Sequence, residues 1–192
     1  MPAEASSARL LVLGDSLAAG YGLPPEQSFP ARLQARLRAD GRDVTVLNAG
    51  VSGDTSAGGR ARLGWALADK PDYVLIELGA NDGLRGLDPG AMRANLEAII
   101  LRLKKEGIGI LLAGMLAPPN MGAQYEKEFN AVYAALAAKH DLVFYPFFLD
   151  GVAANPALNQ RDGIHPNAEG VAEIVDRIAP YVVRLLDGGK GT

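Results

Sequence analysis

The residue types that together carry acyl transfer stand in this chain where a fold can gather them. Ser16 closes the run Leu10-Leu11-Val12-Leu13-Gly14-Asp15-Ser16, in which a fully apolar stretch breaks abruptly into Gly-Asp-Ser. A serine hydroxyl is a weak nucleophile at neutral pH and needs a base within hydrogen-bond reach. Of the 2 histidines, His165 lies in a polar loop before Pro166 and is the candidate base. His140 ends an apolar-striped helix and reads instead as a charge complementing the helix dipole. Asp162, just upstream of His165, can accept the second imidazole N–H and so fix the tautomer, although Asp162-Gly163 reads equally as a plain turn. An attacked carbonyl becomes an oxyanion and needs donors fixed in advance. The Ser16 N–H, the Gly53 N–H and the Asn81 side-chain amide are the candidates. Asp54 is expected to cap the helix that follows it, and Asn167 the last helix. Asp15 is open between turn former and support for the serine loop.

The elements that must position these residues alternate regularly. Strands are expected at the opening apolar run, Val44–Leu47, Asp72–Leu78, Ile108–Met115 and Leu142–Tyr145. Helices with apolar residues three and four apart lie between them. Ser28 with Pro30, and Asp88 with Pro89, are read as helix starts; Gly41 and Gly107 as stops. Five strand–helix alternations predict a parallel sheet covered by helices on both faces. Glycine-broken polar turns follow strands one, two, three and five, which a parallel sheet places along one edge. Ser16, Gly53, Asn81 and the Asp162/His165 pair are therefore expected to converge.

Composition narrows the field. The chain of 192 residues is 48% hydrophobic, enough for one domain, expected over 1–192 with flexible ends at about 1–7 and 187–192. A net charge of -3 gives no footprint for a nucleic-acid partner. The absence of cysteine excludes thiolate catalysis, disulfides and Cys-based zinc sites. No apolar run is long enough to span a membrane, so no stable membrane insertion is expected. Met1–Ala8 is polar and lacks the apolar core of a secretion signal. A processed N-terminus would place the chain in the periplasm or outside the cell, an unprocessed one in the cytoplasm. Nothing in the sequence fixes the oligomeric state.

Four blocks, Gly14-Asp15-Ser16-Leu17, Ser52-Gly53-Asp54-Thr55, Gly79-Ala80-Asn81-Asp82 and Asp162-Gly163-Ile164-His165, resemble in order those of the GDSL/SGNH hydrolases. The likeness is closest to the multifunctional thioesterase I / lysophospholipase / arylesterase branch. It implies a three-layer, flavodoxin-like α/β/α fold with strand order 2-1-3-4-5. It implies Ser16 as nucleophile, His165 as base and acid, Asp162 as its partner, and Ser16, Gly53 and Asn81 as oxyanion donors. It implies no metal and no organic cofactor. Leu13-Gly14-Asp15-Ser16-Leu17 is not the G-x-S-x-G elbow of α/β-hydrolases. Leu116 and Met121 stand where the best-known thioesterases of this branch carry arginine and tyrosine.

A small-molecule ester or thioester is the expected substrate. Leu84, Met115, Leu116, Met121, Phe147, Phe148 and Ile164 are the apolar candidates for an acyl or aryl pocket, with the Phe147/Phe148 pair equally readable as core. Two alternatives stand beside this reading: a carbohydrate acetylesterase, and a flavodoxin-like binding module without catalysis. No phosphate-cradling or dinucleotide motif supports the latter.

Overall fold

The computed structural model describes residues 7–188. Five parallel strands, β1 (Ala8–Gly14), β2 (Val44–Gly50), β3 (Tyr73–Glu77), β4 (Gly109–Ala113) and β5 (Val143–Tyr145), form one sheet in the order β2-β1-β3-β4-β5. This is the expected topology. Leu10 to Leu13, Val74 to Ile76 and Leu111 to Leu112 are all but fully buried, as befits strands covered on both faces. Helices α2 (Phe29–Ala39) and α7 (Ala168–Leu186) pack together, as do α3 (Ser56–Ala66) with α5 (Pro89–Lys105) and α5 with α6 (Ala123–His140).

Register explains how distant turns meet. Gly14 pairs with Gly50 on one side and Glu77 on the other, Glu77 with Ala113, and Ala113 with Tyr145. The C-terminal ends of all five strands thus stand level, and the segments leaving them share one rim. Two of those segments hold short helices where loop was expected: α1 (Ser16–Ala19) and α4 (Ala80–Leu84).

Helix ends follow local chemistry with instructive exceptions. The Asp88 carboxylate accepts from the Ala91 N–H at 2.9 Å, with Pro89 in the first turn, and Asn167 accepts from the Gly170 N–H at 2.9 Å. Gly41 and Gly107 both adopt positive φ just past their helices. Ser28 precedes α2, yet its hydroxyl donates to the Pro25 carbonyl at 2.7 Å and caps nothing. Asp54 is not the cap of α3. Thr55 takes that place, its hydroxyl oxygen accepting from the Gly58 N–H at 3.3 Å, and the Asp54 carboxylate reaches along the helix to Arg62. The expected flexible ends fall mostly outside the described residues; of those within, Asp187 is paired with Arg42. Among the described residues no helix is long and apolar enough to cross a membrane.

Candidate active site

Ser16 is the first residue of α1, and the residue before it makes that helix possible. Asp15 is fully buried, and its Oδ1 accepts the Leu17 N–H at 2.9 Å. This cap converts a sharp break after β1 into a helical turn with Ser16 at its start. Gly20 closes the turn with φ of 83°. The Ser16 hydroxyl, half-buried, lies 2.9 Å from His165 Nε2.

His165 arrives from the long segment after β5. Its Nδ1 is 2.7 Å from Asp162 Oδ2, while Asp162 Oδ1 accepts the Ile164 and His165 backbone N–H groups at 2.9 and 3.0 Å. Gly163, at φ of 71°, permits that tight wrap. Those two amides, the His165 one first, together with the imidazole bring the Asp162 carboxyl down to about 2. The loop is held from behind: the Gln160 N–H donates to the His165 carbonyl at 2.7 Å, and the Gln160 side-chain amide donates to the Pro166 and Tyr21 carbonyls at 3.0 and 2.8 Å. The Tyr21 ring lies against the imidazole, centroids 4.5 Å apart and tilted by 35°.

Gly53 sits in the turn after β2 at φ of 84°. The turn is anchored to the serine strand by the Val51 N–H, which donates to the Gly14 carbonyl at 3.0 Å. Arg85 donates to the Gly53 carbonyl at 2.8 Å. Asn81, on α4, donates from Nδ2 to Asp15 Oδ2 and to the Asp54 carbonyl, each at 2.9 Å. One amide thus joins the serine turn and the glycine turn. Neither the Ser16 N–H nor the Gly53 N–H meets an acceptor among the described residues. Both are free to receive developing negative charge, whereas the Asn81 hydrogens are engaged at rest.

The expected site residues Ser16, Asp162, His165, Gly53 and Asn81 therefore converge. The apolar candidates divide. Leu84, Leu116 and Ile164 are about half exposed, at 53%, 48% and 48%, on segments leaving β3, β4 and β5. Met121 and Phe147 are half-buried, Met121 lying against the Gly86 turn. Phe148 and Met115 lie deeper. Phe148 is fully buried edge-on against Phe29, and Met115 is 5% exposed within the core. A chain turning inward off β5 carries Phe148 under the rim instead of onto it.

Sequence reasoning did not single out Tyr21, Arg85, Gln160 or Glu77. A legible signal existed for one of them. Glu77 interrupts the apolar run Val74-Leu75-Ile76-Glu77-Leu78, and a lone acid in a strand covered on both faces demands a reason. The others make contacts between segments far apart in sequence.

Comparisons with known proteins find relatives over most of the chain. The model of the GDSL-like Lipase/Acylhydrolase family matches residues 12–172. Esterase TesA of Pseudomonas aeruginosa is 44% identical over 95% of this chain and 92% of that protein. An arylesterase of Vibrio mimicus is 43% identical over 96% and 92%. The crystal structure of TesA superposes with a TM-score of 0.87, covering 92% of this chain and 99% of that one. The psychrotrophic esterase EstA from Pseudoalteromonas, inhibited by monoethylphosphonate, gives 0.88 at 34% identity, over 93% and 98%. With the four blocks on one rim and a family model spanning most of its length, the chain belongs to the GDSL-like lipase/acylhydrolase family.

Proposed function

We propose that this chain, a carboxylic ester hydrolase by its family and relatives, cleaves esters and thioesters of short to medium acyl and aryl groups through a Ser16–His165–Asp162 triad and an acyl-enzyme. The observation that carries the reading is the unbroken array Ser16 Oγ, His165 Nε2, His165 Nδ1, Asp162 Oδ2, with separations of 2.9 and 2.7 Å. Ser16 attacks the carbonyl carbon as its proton passes to Nε2. Asp162 holds the proton on Nδ1 and stabilises the imidazolium. The carbonyl oxygen, now negative, is received by the Ser16 and Gly53 N–H groups. Asn81 adds a third donor by turning one amide hydrogen from Asp15 or Asp54 towards it. The imidazolium gives its proton to the departing alcohol or thiol. Water, deprotonated by the same nitrogen, then attacks the acyl-enzyme, and Ser16 leaves with the proton returned.

Breadth across oxygen and sulfur esters follows from where the donors point, because they address the carbonyl oxygen that both substrates share. The matched relatives include an arylesterase and a thioesterase 1/protease 1/lysophospholipase L1. Leu84, Leu116, Met121 and Ile164 offer an open apolar rim. Each methylene then discriminates by about 1–3 kcal/mol, which gives a graded chain-length preference. Leu116, apolar and exposed, adds no attraction for the phosphates of coenzyme A, so aryl and simple alkyl esters are favoured over acyl-CoAs by kcat/KM.

The experiment is fluorophosphonate labelling read by peptide mass spectrometry, with a matched panel of p-nitrophenyl esters and acyl-CoAs from acetyl to dodecanoyl. Label on Ser16 and graded aryl-ester turnover are expected. Label elsewhere overturns the triad. Preference for long acyl-CoAs over every aryl ester overturns the substrate assignment.

A further inference from the structure

Beneath the serine turn lie two acids that the mechanism above does not use. Glu77 ends β3 beside Gly14 in register and is fully buried. Its Oε2 accepts the Asp15 N–H at 3.2 Å, and its Oε1 has no hydrogen-bond partner. A side chain on Gly14 would collide with this carboxyl, at 2.5 Å from Oε2. Asp15, equally buried, is better served: Oδ1 takes the Leu17 N–H and Oδ2 takes the Asn81 amide. Among the described residues no cation forms an ion pair with either acid. Arg62, from α3, bonds Asp54 through Nε and the Gly14 carbonyl through Nη2, and its Nη1 is buried without a hydrogen-bond partner. Tyr133, from α6, donates to the Leu78 carbonyl. His165 acts on Asp15 electrostatically from across the serine turn.

Two carboxylates cannot both stay ionised in so dry a place. The two donors in place favour charge on Asp15, while the unpartnered Glu77 oxygen favours a proton there. We propose that Glu77 and Asp15 are a positioning pair that holds one proton, on Glu77, and one negative charge, on Asp15, and that this charge keeps the Asn81 amide and the Ser16 turn in working geometry. Burial, reinforced by the Asp15 charge, lifts the Glu77 carboxyl well above the usual range. Burial lifts Asp15 only to about 6, because the Leu17 and Asn81 donors oppose it. The inference rests on the triad reading for its catalytic consequence, but the proton itself is independent of catalysis.

The test uses the full chain in a Ser16→Ala background for the physical measurements and in the active enzyme for kinetics. Infrared spectroscopy near neutral pH should show the carbonyl stretch of a protonated carboxylic acid, lost in Glu77→Gln. A carboxyl whose folded pKa is raised favours folding most below its unfolded pKa, and loses that contribution as pH rises. The Tm of Glu77→Gln relative to the parent should therefore climb as pH rises above the ordinary carboxylate range. Glu77→Gln should keep kcat within about threefold, since glutamine reproduces the neutral acid. Glu77→Leu and Asp15→Asn should each lose about 10- to 100-fold in kcat with little change in KM, the scale of a misplaced reacting group. Absence of the band, a flat Tm difference, failure of Glu77→Gln to fold, or kcat unchanged in Asp15→Asn would each overturn the proposal. Ser16→Ala retaining full activity would instead overturn the triad and leave the infrared and Tm results standing.

Discussion

The chain contains two histidine–carboxylate pairs of the same length and opposite meaning. His165 Nδ1 meets Asp162 at 2.7 Å, and His140 Nε2 meets Glu97 at 2.7 Å. The difference lies in what surrounds each pair. The second nitrogen of His165 faces a hydroxyl, and its carboxylate is pinned by two backbone amides on a loop at the rim where strands end. His140 ends α6, at the edge where strands begin, and Glu97 is shared with Lys139. A paired imidazole becomes a base only when its free nitrogen meets a proton worth moving and its partner cannot drift.

Breaking the first pair should therefore cost far more than breaking the second. Ser16→Ala and His165→Ala are expected to lower kcat on p-nitrophenyl acetate by about 10⁴–10⁶, the range for loss of a nucleophile or its base. His140→Ala should leave kcat within about twofold; comparable losses at both histidines would dissolve the comparison. Asp162→Asn should cost about 10²–10⁴, because the backbone amides still hold the loop while the charge and the tautomer control are gone. Asn81→Ala should lower kcat by about 10²–10³ with KM changing much less, the cost of one oxyanion donor. A loss confined to KM would make Asn81 a substrate-binding residue instead.

A pH profile sharpens the same contrast. Asp162, held near 2 by the His165 and Ile164 amides and by the imidazole, is depressed below its unfolded value. Its contribution is present above the ordinary carboxylate pKa and lost only as pH falls towards 2, so it stays out of the acid limb of activity. Asp15, raised to about 6 chiefly by burial, titrates within that limb. Activity of Asp15→Asn should fall less steeply on the acid side than that of wild type. A limb of unchanged steepness in Asp15→Asn would remove Asp15 from the profile.

How much of this was legible in the sequence depends on the range of the interaction. The parallel sheet and the five convergent residues followed from turn chemistry after apolar runs, because a parallel sheet leaves such turns no other edge, whereas the strand order came with the family resemblance. The helical turn at Ser16 was not legible: Gly14-Asp15-Ser16 favours any turn, and only the Asp15 carboxylate aimed at the Leu17 N–H selects this one. Phe147 and Phe148 are chemically identical neighbours, and only the direction of the chain leaving β5 sends one into the core. Asp54 and Thr55 are both good caps, and a salt bridge to Arg62 claimed the first. Tyr21 over His165 and Arg85 on Gly53 depend on loops meeting across the rim, which no local pattern encodes.

The smallest effect should come from the second pair, and it should appear in stability alone. Lys139 first, and His140 next, hold the Glu97 carboxyl below its usual range. A carboxyl depressed in the folded state stabilises the fold above its unfolded pKa, and the effect fades as pH falls through the folded value. The group is open to solvent and its partners are screened by water and salt, so the shift is modest. Glu97→Gln should thus have a slightly lower Tm than wild type at neutral pH and low salt. The two curves should merge in acid below the ordinary carboxylate range, and should draw together as salt is added. Throughout, ester hydrolysis by Glu97→Gln should match wild type. A Tm difference that persists in acid would assign Glu97 a packing role. A loss of turnover would mean that the pair at the far edge of the sheet reaches the rim where Ser16 stands, and the division between the two histidines would fail.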